Sequence, residues 1–140
     1  MIVLDTNVVS EPLKPTGEPA VLAWLDRQNI ETLFLTTISL AELGYGVAAL
    51  PDSRRKDGLG MALQSRVIAL FGPRVLSFDS AAADAYARIR VRAKAAGKAI
   101  AAADGYIAAT AAAHGFAVAT RDTGPFEAAG LPVINPWVSA

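Results

Sequence analysis

Short apolar runs alternate along this chain with longer segments of helical periodicity. Ile2-Val3-Leu4 is an apolar run ended by Asp5, the pattern of a buried strand with an acid at its carboxyl end. Thr6-Asn7 can turn the chain into a short helix, which Pro12 and Pro15 break. Over residues 18–28, Val21, Leu22, Trp24 and Leu25 recur at helical spacing, with Pro19 tolerated in the first turn. Residues 32–37 read as a second strand and 39–50 as a helix. A further helix is expected over 54–71, stopped by Gly72-Pro73, and then a third strand over 75–78. Residues 80–96 form a helical pattern with a basic face, ended by Gly97. An alanine-rich helix over 100–114, a strand over 116–120, a helical turn over 126–129 and a small strand over 132–134 complete the chain. Strands alternating with helices predict an α/β fold. Its open, mostly parallel central sheet has four to five strands, with helices on both faces. Residues 1–140 are expected to form one domain with its own core.

Composition narrows the chemistry. The chain has no cysteine and one histidine, His114, so disulfides and thiolate metal sites are excluded and zinc is disfavoured. Any metal must be held by oxygen ligands, which points to Mg²⁺ or Mn²⁺. The amino end has no basic leader. Asp104 and His114 interrupt the alanine-rich stretch, so a cytoplasmic protein without a membrane span is expected. Basic and acidic residues balance at 13 each, but unevenly. From Arg54 to Lys98 there are ten basic and three acidic residues, and the remainder reverses that bias. Arg54, Arg55 and Lys56, with Arg88, Arg92 and their neighbours to Lys98, are candidate phosphate contacts. The competing reading is that they are solvated helix faces.

The acids supply the candidate chemistry. Asp5 and Asp122 stand just past predicted strands, and Glu42 and Asp104 fall in the first turns of predicted helices. In open α/β sheets, sites form beyond the carboxyl ends of the strands, so all four acids can reach one edge. Ionised together, they need a counter-charge, and a divalent cation supplies it. For Glu42 a structural role has equal weight, because Ser39 and Glu42 stand at capping-box spacing. Asp79 also follows a strand but reads as the N-cap of the helix beginning at Ser80. Asp57 and Asp84 read as surface residues, and His114 as a helix end. Phosphate-cradling glycine loops and the G-x-S-x-G nucleophile elbow are absent from the sequence.

These residues resemble the PIN domain. The resemblance is carried by Asp5-Thr6-Asn7, Ala41-Glu42-Leu43, Ala103-Asp104 and Thr120-Arg121-Asp122. Longer strings are similar to the VapC toxins of type II toxin–antitoxin modules, and most closely to the FitB-like subgroup: DTNVVSEPL at 5–13, AWLD at 23–26, IAAADGYIAATA at 100–111, VATRDTG at 118–124 and NPW at 135–137. The resemblance implies a PIN fold and a Mg²⁺- or Mn²⁺-dependent endoribonuclease. Asp5, Glu42, Asp104 and Asp122 would be its metal-binding acids, with Thr6, Asn7 and Thr120 as supporting or substrate contacts. The expected products carry a 5′-phosphate and a 3′-hydroxyl. It further implies a homodimer held inactive by a DNA-binding antitoxin, with operator DNA reached only through that partner. Apolar residues at 43–50 and 59–70 are candidates for the antitoxin groove. A second possibility is a regulatory subunit that helps its partner repress DNA with little or no nuclease activity. A third is a PIN nuclease acting without an antitoxin.

Overall fold

The computed structural model describes residues 1–138. Five short strands form one sheet: β1 (Ile2–Leu4), β2 (Leu33–Thr36), β3 (Val75–Leu76), β4 (Ala117–Ala119) and β5 (Val133–Ile134). Their order is β3-β2-β1-β4-β5, and every neighbouring pair is parallel. The helices are α1 (Thr6–Val9), α2 (Pro19–Arg27), α3 (Thr37–Ala48), α4 (Arg54–Ala62), α5 (Ala69–Phe71), α6 (Ser80–Ala95), α7 (Ala102–His114) and α8 (Thr123–Ala128). A π-helical segment, Leu63–Ile68, joins α4 to α5. The expected helix over 54–71 is therefore one helical path with a widened turn. Its buried residues Leu63, Val67 and Phe71 recur every fourth position and so share one side of that path.

Successive strand residues point to opposite faces, and both faces are covered. Leu4, Leu33, Leu35 and Ala119 pack with Val8 and Val9 of α1, Val21 and Trp24 of α2, and the π segment. Val3 and Val118 pack on the other face with α6, α7 and α8. There the contact is built from alanine: Ala85 and Ala93 of α6, and Ala108, Ala109 and Ala111 of α7, are buried. Small side chains let the two helices approach closely. Gly105 is the tightest point, where a Cβ would stand 2.9 Å from the ring of Tyr86. Gly115 ends α7 in the left-handed conformation, at φ 71°, and donates back to Ala111 and Ala112. Among the described residues, no helix is long and apolar enough to cross a membrane.

The chain leaves β1 through α1 and α2 on one face, and leaves β4 through α8 on the other. The two connections part at the carboxyl ends of adjacent central strands. This divergence is a topological switch point, and it opens a crevice there.

Candidate active site

Asp5 occupies the first residue past β1, and its backbone N–H still pairs with Ala119 O at 2.9 Å. It is 4% exposed. Both carboxylate oxygens are held: Oδ1 accepts from Thr6 N at 2.7 Å and Oδ2 from the Thr120 hydroxyl at 2.8 Å. Thr120 is fully buried just past β4, and its Oγ1 also accepts from Asp122 N at 3.1 Å. One hydroxyl thus fixes Asp5 and the turn that presents Asp122. Asn7 Oδ1 accepts from Arg121 N at 3.4 Å, a second tie between the two diverging loops.

Glu42 comes from α3, where the structure corrects the sequence reading. The helix begins at Thr37 and its N-cap is Thr36, whose hydroxyl accepts from Ser39 N at 3.2 Å. Ser39 is therefore inside the first turn, and no capping box with Glu42 forms. Glu42 stands in the second turn, and its Oε1 lies 2.6 Å from Thr6 Oγ1. The capping explanation for this acid is removed. Asp104 is in the first turn of α7, whose N-cap residue, Ala101, makes no side-chain cap. The positive end of the helix favours a carboxylate there. Asp122 is at the N-cap position of α8 but makes no side-chain cap bond, so its carboxylate is not spent on the helix.

Asp5, Glu42, Asp104 and Asp122, together with Thr6, Asn7 and Ser10, line one pocket of about 300 Å³. Burial pushes the Asp5 carboxyl up to about 6, and the charges of Asp104 and Glu42 add to this against the lowering hydrogen bonds from Thr120 and Thr6. Asp104 is also raised, by burial first and then by the Asp122 and Glu42 charges. None of the four acids has an ion-pair partner among the described residues. The pocket concentrates negative charge that a bound cation can offset at neutral pH. Its donors are all oxygens, which suits a hard divalent ion. No group of three or more His, Cys, Asp or Glu among the described residues is already arranged to hold an ion. Asp122 is exposed and its carboxylate makes no cap bond, so rotation of its side chain can complete such a set.

The basic residues singled out from sequence do not line this pocket. Arg54 and Arg55 are exposed on α4, and Lys56 is turned to Ala48 O and Asp52 at 3.2 and 3.3 Å. Arg88 pairs with Asp84 at 2.9 Å, and Arg88 and Arg92 line a separate cavity of about 660 Å³ that includes none of the four acids. That cavity is larger, but the four acids do not converge on it. Asp79 is an N-cap, as expected: its Oδ1 accepts from Ala82 N at 3.0 Å. Of the cations on the segment that carries Asp122 or against it, Arg121 lies outside the basic run read from sequence and Lys98 ends that run. Arg121 lies between Thr120 and Asp122 with its guanidinium 5.3 Å over the Trp137 ring, and Lys98 packs against Gly124. Ser10 and Ser39 were also missed. Both are hydroxyl residues one helical turn from a named site residue, and that spacing is the signal that could have found them.

An acid-lined crevice at the switch point of a parallel α/β sheet, with only oxygen donors, has the make-up that cation-assisted chemistry on an anionic substrate requires. A family-wide model of the PIN domain matches residues 2–131, and the chain belongs to the PIN-domain family. It is 56% identical over 140 residues to "VapC ribonuclease Y4jK" of Sinorhizobium fredii, covering 100% of both chains. It is 53% identical over 137 residues to "Toxin FitB" of Neisseria gonorrhoeae, covering 98% of this chain and 99% of that one. Among solved structures it superposes on FitAB bound to an IR36 DNA fragment with a TM-score of 0.96, at 50% identity, covering 100% of this chain and 98% of that one.

Proposed function

We propose that this chain is a divalent-cation-dependent ribonuclease and the toxin of a toxin–antitoxin pair. The observation that carries the reading is the convergence of Asp5, Glu42, Asp104 and Asp122 in one pocket with no ion-pair partner among the described residues. The relatives' names support it, as does the likeness to a FitAB–DNA complex. The four carboxylates would hold Mg²⁺ or Mn²⁺. When bound, the cation supplies positive charge that offsets the acids and favours charge build-up on the phosphate oxygens of RNA.

The chain's own residues prepare that site. Thr120 and the Thr6 amide fix both oxygens of Asp5, and each oxygen keeps a lone pair for a further contact. Glu42 is held through Oε1, which leaves Oε2 to orient a water or accept its proton. No histidine is needed as a base. The partner is a small DNA-binding antitoxin, operator DNA is reached only through it, and the active unit is a cytoplasmic homodimer. The test is cleavage of total RNA by the antitoxin-free chain in Mg²⁺ or Mn²⁺, with Asp104→Asn alongside. Cation-dependent cuts lost in the variant, with growth inhibition lost in parallel, are expected. Full cleavage by Asp104→Asn, or operator binding with antitoxin and no cleavage by the parent, overturns the reading.

A further inference from the structure

Ser39 has a role that its place in the first turn of α3 does not explain. It is fully buried, and its backbone N–H is already satisfied by Thr36. Its hydroxyl lies 2.9 Å from Thr6 Oγ1, and Thr6 Oγ1 lies 2.6 Å from Glu42 Oε1. Thr6 has one hydroxyl proton for these two neighbours. A carboxylate oxygen can only accept, so Thr6 donates to Glu42. The second contact then requires Ser39 to donate to Thr6. Hydrogen bonds in such a chain polarise one another, and the buried end fixes the direction of the exposed end.

We propose that Ser39 is a positioning residue: through the Thr6 hydroxyl, it aims Glu42 into the acidic pocket. Glu42 is the one acid of the four whose backbone lies beyond the first turn of a helix or loop at the crevice, and its side chain is exposed and long. Without the relay it has many rotamers, and holding one of them costs entropy when a cation binds. Ser39 and Thr6 remove that freedom beforehand. The inference rests on the cation-binding reading of the pocket, but it concerns only how one ligand is held.

Calorimetric titration of Mn²⁺ into the purified full chain tests it. Ser39→Ala is expected to weaken Mn²⁺ binding about tenfold, the usual scale for losing a group behind a ligand, with an unchanged far-ultraviolet spectrum. Thr6→Val should show the same loss, and Thr6→Ser should retain binding. In the Thr6→Val background, Ser39→Ala should add nothing, because the relay is already cut. Parent affinity in Ser39→Ala, or an undiminished tenfold loss in the Thr6→Val background, overturns the proposal. A parent that binds no Mn²⁺ would instead strike the ribonuclease reading. Crystal structures of metal-free parent and Ser39→Ala then decide the relay. Glu42 released from Thr6 in the variant supports it, and an unmoved Glu42 overturns it.

Discussion

Asp5 and Asp79 look alike along the chain. Each follows a strand and each sits at the N-cap of the next helix. Their surroundings differ completely. Asp79 is exposed beyond the edge strand β3 and holds the Ala82 amide at the start of α6. Asp5 is buried beyond the central strand β1, and the charges of Asp104 and Glu42 act on it. The difference comes from strand order. β1 has β4 beside it, and the loops leaving these two strands part toward opposite faces, whereas β3 has a neighbour on one side only. An acid at the switch point faces other acids, and an acid at the edge faces water and its own helix.

The comparison breaks most sharply on activity. Asp5→Asn keeps an oxygen for the Thr6 amide but removes the charge, and RNA cleavage should fall about 10²–10³-fold, the scale of losing one element of a preorganised electrostatic site. Asp79→Asn should cleave within about twofold of the parent, since asparagine caps a helix as well as aspartate. Initial rates on one defined RNA in Mn²⁺ check both. Equal losses in the two variants would mean that the pocket is not where the chemistry occurs.

Local pattern was enough for the elements and for Asp79. An apolar run such as Ile2-Val3-Leu4, ended by an acid, can hardly be anything but a buried strand, and Asp79-Ser80 before an alanine-rich helix spells its own cap. The convergence of the four acids was legible only as a possibility, because it depends on strand order, which spacing does not encode. The resemblance to the PIN domain supplied that order. Glu42 was harder. Thr36, Thr37 and Ser39 can all cap α3, and the choice falls to Thr36 because pairing with Leu76 keeps it extended. That is a tertiary effect acting through β3. The basic residues were read from charge count alone, which leaves their local partners out. Counting charge cannot reveal that Arg88 is already paired with Asp84 one turn earlier, or that Lys56 is turned back on Ala48.

A smaller effect separates the two aspartates by pH. Burial raises Asp5 from 3.8 to about 6, so the folded metal-free chain prefers this group protonated more strongly than the unfolded chain does. The ionised form therefore destabilises the fold. The penalty is complete above pH 6, shrinks as pH falls through 6, and is gone below about 3.8. Over that window the shift corresponds to roughly 3 kcal/mol. Asp5→Asn should accordingly be more stable than the metal-free parent at pH 7.5, with the gap closing toward pH 4. Urea unfolding of both chains across this range measures it. A gap that stays constant with pH would show that Asp5 is not under the strain its surroundings impose. A carboxylate that destabilises the fold until its charge is neutralised would, in the proposed cation site, exchange stability for function.

The smallest effect should come from Asp79→Ala, and its sign is opposite. Removing this cap leaves the Ala82 amide without its acceptor at the start of a sixteen-residue helix. Water reaches the exposed cap, so the amide is not stranded in the core, and the loss should be about 1 kcal/mol. Because α6 packs on α7, whose first turn carries Asp104, a frayed α6 could in principle disturb the site. The contact that matters to Asp104 lies further along, where Tyr86 meets Gly105, beyond the first turn that Asp79 caps. Asp79→Ala should therefore lower the urea midpoint while leaving both RNA cleavage and Mn²⁺ affinity at the parent's level. If cleavage drops along with stability, the two aspartates are coupled through α6 and α7, and the separation between edge and switch point does not hold for this molecule.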